Sequence, residues 1–187
     1  MKHRPLLVML AGPNGAGKTT FYEAYLSPLG LPFLNADILA RETGLSAYEA
    51  ASEIASLRDK MVERKERFIL ESVFSDPVGD KVSFLQRAAV GGFDVHLIFI
   101  GIPSANFSRR RVEARVGAGG HSVPAKKIRE RFPRVMDNLE KAIRVLPSVR
   151  LYDNSSCVTP HRLVADFRHG RLARRGIAPA WARRFLE

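Results

Sequence analysis

Residues 12–19 read Gly12-Pro13-Asn14-Gly15-Ala16-Gly17-Lys18-Thr19, with Thr20 following, a complete GxxxxGK[ST] phosphate-binding loop. The apolar run Leu6–Ala11 stands directly before it, and residues 19 to about 26 read as a helix. That order of strand, glycine loop and helix separates a working phosphate loop from a chance match. Glycines allow the backbone to curl so that several N–H groups converge on one anion. The first turn of the following helix adds unpaired N–H groups and the positive end of its dipole. Lys18 contributes a point charge for the β- and γ-phosphates, and the Thr19 hydroxyl is a ligand for Mg²⁺. The stretch therefore implies binding of ATP with magnesium.

Outward from this loop, five apolar runs have strand character: Leu6–Leu10, Pro32–Leu34, Arg67–Leu70, Asp94–Ile100 and Val149–Tyr152. Helical patterns lie between them. Ala50, Ile54, Leu57 and Met61 form one stripe, and Ile128, Phe132, Val135, Leu139 and Ile143 form another. A shorter helix runs from about Lys81 to Gly91-Gly92. Alternating strands and helices predict an α/β P-loop NTPase with a mostly parallel, five-stranded sheet covered by helices on both faces. Residues 1–187 suit a single domain. Within it, a segment at about 103–131, rich in Arg and Gly, reads as a lid, and about 160–187 as a basic helical tail.

The formal net charge is +11. One nucleotide does not require so much, so the excess is a solvated face or a surface for an acidic protein or a nucleic acid. No apolar stretch reaches the roughly 20 residues of a membrane helix. The single cysteine, Cys157, excludes an intrachain disulfide, and with no export signal a cytoplasmic protein is expected. The histidines and the cysteine show no zinc-ligand spacing.

In such sheets ligands bind beyond the carboxyl ends of the strands. Asn35-Ala36-Asp37 follows the second apolar run, and Glu71-Ser72 follows the third. Asp37 has two readings, a catalytic base for an acceptor hydroxyl or part of a helix cap shared with Asn35. Glu71 is expected to hold Mg²⁺ or its waters, or else to pair with a lysine. Ser72 and the helical Glu53 are candidates for the acceptor pocket; their ordinary roles are turn residue and solvent-facing carboxylate. Arg109, Arg110, Arg111 and Arg115 cluster after the fourth run, and 111 and 115 share a helix face. Arg115, then Arg111, is expected to neutralise charge on the moving phosphoryl. Glycines 117, 119 and 120 offer hinges, and His121 beside them titrates or bonds phosphate, or is structural. Asn154, after the last run, reads an adenine edge or forms a turn.

Taken together, these pieces resemble the zeta-toxin family of P-loop kinases. They are AGPNGAGKTT at 11–20, NAD at 35–37, FILES at 68–72, RVEARVGAGGHSVP at 111–124, IRERF at 128–132 and YDNS at 152–155. The resemblance implies an adenylate-kinase-like fold and transfer of the ATP γ-phosphate to a hydroxyl of a small molecule. UDP-N-acetylglucosamine is the acceptor for well-known relatives. It also implies Asp37 as base, Lys18 as the loop lysine, Glu71 as the strand-end acid and Arg115 as the first phosphate clamp, with an acidic antitoxin as partner. Two features depart from the family. Ser72-Val73-Phe74-Ser75 lacks the threonine and arginine that hold a sugar nucleotide, and His121 stands where a second clamping arginine is expected. A nucleic-acid end kinase and a non-enzymatic ATP-dependent binding switch are the rival readings.

Overall fold

The computed structural model describes residues 4–117 and 122–186. Seven strands form one sheet: β1 (Leu6–Ala11), β2 (Phe33–Leu34), β3 (Phe68–Ser72), β4 (Asp94–Gly101), β5 (Ser148–Asp153), β6 (Arg162–Arg168) and β7 (Arg171–Arg175). Their order across the sheet is β2-β3-β1-β4-β5-β6-β7. The first five are mutually parallel, whereas β5–β6 and β6–β7 are antiparallel. The sheet is therefore mixed and seven-stranded rather than the five-stranded, mostly parallel one expected.

The added strands replace the basic helical tail predicted over about 160–187. Residues 162–175 form a β-hairpin closed by His169-Gly170, both with positive φ (49° and 76°). That backbone twist suits a two-residue turn between strands. Only Ala180–Phe185 is helical, as a short 3₁₀ segment. Arginines at both ends of β6 and throughout β7 dilute the apolar alternation by which a strand is recognised.

Among the described residues six α-helices connect the strands: α1 (Lys18–Phe21), continued by a π-helical turn to Leu26, α2 (Ala36–Thr43), α3 (Ala47–Glu63), α4 (Asp80–Val90), α5 (Ala105–Gly117) and α6 (Ala125–Val145). Their ends are marked chemically. Ser46 and Glu49 form a reciprocal capping box on α3, and Gly44 ends α2 in the left-handed region.

Alternation along β1 divides the core. Leu7, Met9 and Ala11 face one layer with Phe68, Leu97, Leu139 and Trp181; Val8 and Leu10 face the other with Phe21, Ile98 and Ile100. The chain leaves β1 toward β2 and leaves β4 toward β5, so the crevice beyond the carboxyl ends of β1 and β4 is the topological switch point. Among the described residues, no helix is long and apolar enough to cross a membrane.

Candidate active site

The loop between β1 and α1 occupies that switch point. A turn bond from Ala16 N–H to the Pro13 carbonyl (3.2 Å) begins its curl, and Gly17 caps α1 with φ +87°. A Cβ on Gly17 would lie 2.4 Å from Asn154 Nδ2, so no larger residue fits this position without displacing the support beneath it. A Cβ on Gly15, which has φ +69°, would lie 3.1 Å from both the Ser108 carbonyl oxygen and the Arg111 Cβ. Helix α5 is thus packed directly on the loop, and the buried Ser108 hydroxyl donates to the Asn14 carbonyl (2.6 Å).

Parallel register brings the strand ends into line. Leu10 lies opposite Glu71, and Leu34 opposite Leu70, so Asn35 emerges beside Glu71. Glu71 Oε2 accepts hydrogen bonds from Asn35 Nδ2 (2.9 Å) and Thr19 Oγ1 (3.3 Å), and Oε1 lies 3.7 Å from Lys18 Nζ. Lys18 also donates to the Pro13 carbonyl (3.3 Å), and both charged side chains are largely buried. The lysine is thereby held extended along the loop by a carboxylate and a carbonyl. Desolvation offsets much of the attraction in such a pair, so its contribution is one of position rather than stability.

Asn35 caps α2: its Oδ1 accepts from the N–H groups of Asp37 (2.9 Å) and Ile38 (3.1 Å). Of the two capping candidates, Asn35 performs that role. The Asp37 carboxylate is exposed in the first turn of α2. Glu53 is also exposed, on the rim of a cleft of about 530 Å³ between β2, α2 and α3 that Asn35, Ile38, Leu57 and Lys60 help to line. The Ser72 hydroxyl accepts from the Phe74 N–H (3.0 Å), which is a turn contact.

Thr19 Oγ1 and Glu71 Oε2 are hard oxygen atoms 3.3 Å apart at the phosphate end of the loop. This donor set fits Mg²⁺, which retains waters and phosphate oxygens and needs only one or two protein ligands. Among the described residues, no cluster of three or more His, Cys, Asp or Glu stands ready for another metal.

The arginines on α5 divide. Arg109 pairs with Glu113 (2.8 Å), and Arg110 lies 5.9 Å from the Phe107 ring. Arg111 stacks 4.7 Å over the same ring. Burial lowers its pKa from the ordinary value, against the opposing influence of Cys157 and Asp153. Arg115 follows one turn later on the exposed end of α5. His121 lies outside the described residues.

Asn154 is buried, and its Nδ2 donates to the Ala16 carbonyl (2.8 Å) while its N–H donates to the Gly101 carbonyl (3.0 Å). Its amide nitrogen is therefore engaged in bracing the phosphate loop. Three residues that sequence reasoning passed over complete this support. His161 is buried edge-on against Phe21 and Tyr25, beside Gly17. Burial lowers its pKa, with the Gly17 backbone acting the other way and Arg111 adding to the lowering. Trp181 Nε1 donates to Asp153 Oδ1 (2.8 Å), next to Asn154. On the β3 side, Asn138 Nδ2 donates to the carbonyls of Phe74 (3.0 Å) and Asp76 (2.8 Å).

Comparison with known proteins bears on the fold and the family. An uncharacterized protein of Haemophilus influenzae is 25% identical over 129 residues, which span 67% of this chain and 91% of that one. Two solved structures of the AvrRxo1-ORF1:AvrRxo1-ORF2 complex, one with sulphate ions and one with ATP, superpose with TM-scores of 0.66 and 0.65 at 19% and 20% identity. In both cases 92% of this chain is covered but only 61% of that one. The PezAT toxin–antitoxin system of Streptococcus pneumoniae gives 0.59 at 19% identity, covering 87% of this chain and 72% of that one. At these identities the structural likeness is one of fold. The family itself is decided by sequence: the zeta toxin profile matches residues 41–162, well over half of the chain and including Glu71, the α5 arginines and Asn154. The chain belongs to the zeta toxin family.

Proposed function

We propose that this zeta-toxin-family phosphotransferase moves the γ-phosphoryl group of ATP to a hydroxyl of a small molecule, with a UDP-sugar such as UDP-N-acetylglucosamine as the leading acceptor. The observation that carries the reading is the division of labour at the start of α2. Asn35 takes the capping bonds and also holds Glu71, which leaves the Asp37 carboxylate exposed in the first turn of α2, just past the carboxyl end of β2, without a capping duty.

In this reading the acceptor oxygen bonds to the γ-phosphorus as the bond from that phosphorus to the bridging oxygen of ADP breaks. Asp37 takes the proton released by the acceptor hydroxyl. The loop N–H groups and Lys18 bind the phosphates, and Arg115 or Arg111 offsets charge on the transferred group. Thr19 and Glu71 hold Mg²⁺, which when bound neutralises phosphate charge. The segment at about 103–131 acts as the lid. An acidic antitoxin is the expected protein partner.

The test is transfer of labelled γ-phosphate to a panel of UDP-sugars, with the Asp37→Asn variant alongside. Labelling of a sugar nucleotide that is lost in the variant, with ATP binding retained, supports base and acceptor class together. ATP binding without any labelled product removes the sugar-nucleotide assignment. A nucleic-acid end kinase is less well supported, because Trp181 and Phe185, the large aromatics of the basic C-terminal region, are buried in the core and provide no stacking platform.

A further inference from the structure

The phosphate site does not account for the C-terminal arginines. Some are internally compensated: Arg162 lies 3.5 Å from Asp153, Arg168 3.0 Å from Asp166, and Arg184 3.6 Å from Asp137. Arg171, Arg174 and Arg175 have no acidic partner among the described residues. All three belong to β7, whose five residues are exposed throughout. Among the described residues β7 is also the last strand of the sheet, paired with β6 on one side and with no strand on the other.

A sheet edge presents alternating N–H donors and C=O acceptors, a template that only another polypeptide strand satisfies in full. Opposed residues share a face, and the register shift leaves Ala173 unpaired, so Arg171 (opposite Arg168) and Arg174 (opposite Asp166) fall on one face and Arg175 (opposite Ala165) on the other. A strand laid along β7 would thus meet cations on both faces. The same charges disfavour a second copy of this chain, since opposed β7 strands would set arginine against arginine. Nucleic acid is a poorer match. It leaves the edge carbonyls unpaired, and the exposed hydrophobic side chain on β7 is Leu172, not an aromatic.

We infer that β7 is a docking edge for an extended acidic segment of a partner protein, which adds to the sheet as an eighth strand with carboxylates opposite Arg171, Arg174 and Arg175. Backbone pairing supplies the geometry, and the arginines select acidic sequences. The surface lies at the far edge of the sheet from β2, α2 and the acceptor side, so occupation does not by itself block the crevice.

The experiment uses the full chain and a short peptide in which glutamate alternates with threonine. Its controls are the same peptide with alternate backbone nitrogens methylated, a lysine–threonine counterpart and a single-stranded oligonucleotide. Binding is followed by fluorescence anisotropy, and amide hydrogen exchange locates the contact. The acidic peptide should bind and protect amides within 171–175. N-methylation, or the triple variant R171E/R174E/R175E, should each weaken binding by about tenfold or more. Unchanged ATP binding and an unchanged thermal midpoint show that the variant is folded, and the methylated peptide tests strand addition on the unaltered protein. Equal affinity for the methylated peptide, or protection confined to other segments, overturns the proposal. So does tighter binding of the oligonucleotide that is lost in the triple variant, which would assign the surface to nucleic acid.

Discussion

At the site, two side chains close in sequence differ in their engagement: Asn35 organises the helix start and Glu71, and the Asp37 carboxylate is exposed in the first turn of α2. Replacing Asp37 by Asn preserves shape and removes the proposed proton acceptor. Turnover should fall by about 10²–10⁴ with little change in ATP affinity, measured by steady-state kinetics beside nucleotide titration. His161 has the opposite character, because its burial favours the neutral ring. A depressed pKa means that the unfolded chain takes up this proton at a higher pH than the folded one. The stabilising contribution is thus complete above the ordinary value, about 6.5, and is lost as pH falls through the lower folded value. Thermal midpoints should decline between pH 7 and 5, and His161→Gln should show a shallower decline. The loop at 12–19 and the Glu71 carboxylate that meets it were legible in sequence because each motif is short and terminates an apolar run. His161 was not, since a solitary histidine after a proline gives no sign of the phenylalanine and glycine it will meet across the sheet.

Among the elements, α6 does more than cover the sheet. Asn138, 2% exposed, reaches across to the turn after β3, where Phe74 sits buried with φ +65°. Two main-chain carbonyls there depend on one side-chain amide. Asn138→Leu should therefore cost about 1–3 kcal/mol, read from the urea midpoint at unchanged slope. The turn leads directly from Ser72, the proposed acceptor-pocket residue, so the same variant should also raise KM for the acceptor more than it lowers kcat. The apolar stripe of α6 was plain from its spacing, but the one polar residue within it was not, because periodicity records burial and not hydrogen bonding. The hairpin β6–β7 was missed for a related reason: its edge strand buries nothing and so leaves no apolar trace. The Ser46–Glu49 capping box, by contrast, is written in sequence and marks the start of α3 within a residue.

For the molecule as a whole, the phosphate loop is braced from a distance. Trp181 bonds Asp153, Asn154 follows it, and Asn154 holds the Ala16 carbonyl inside the loop. Trp181→Ala should cost about 3–5 kcal/mol through the cavity it leaves. Trp181→Phe keeps most of the ring and removes the N–H, so it should weaken ATP binding while changing stability by only about 1 kcal/mol, measured by calorimetric titration and thermal unfolding. The sheet has an equally non-local design: β1 pairs with β3 and β4, and Phe185 joins the same core as Met9. Contacts so distant along the chain are slow to form. On the ribosome this sets an order of assembly. The loop at 12–19 is translated before β3 and β4, its asparagine brace and the tryptophan behind that brace. A nascent chain therefore carries the phosphate motif as text long before it carries it as a shape, and the cell meets the finished pocket only once synthesis has passed residue 181.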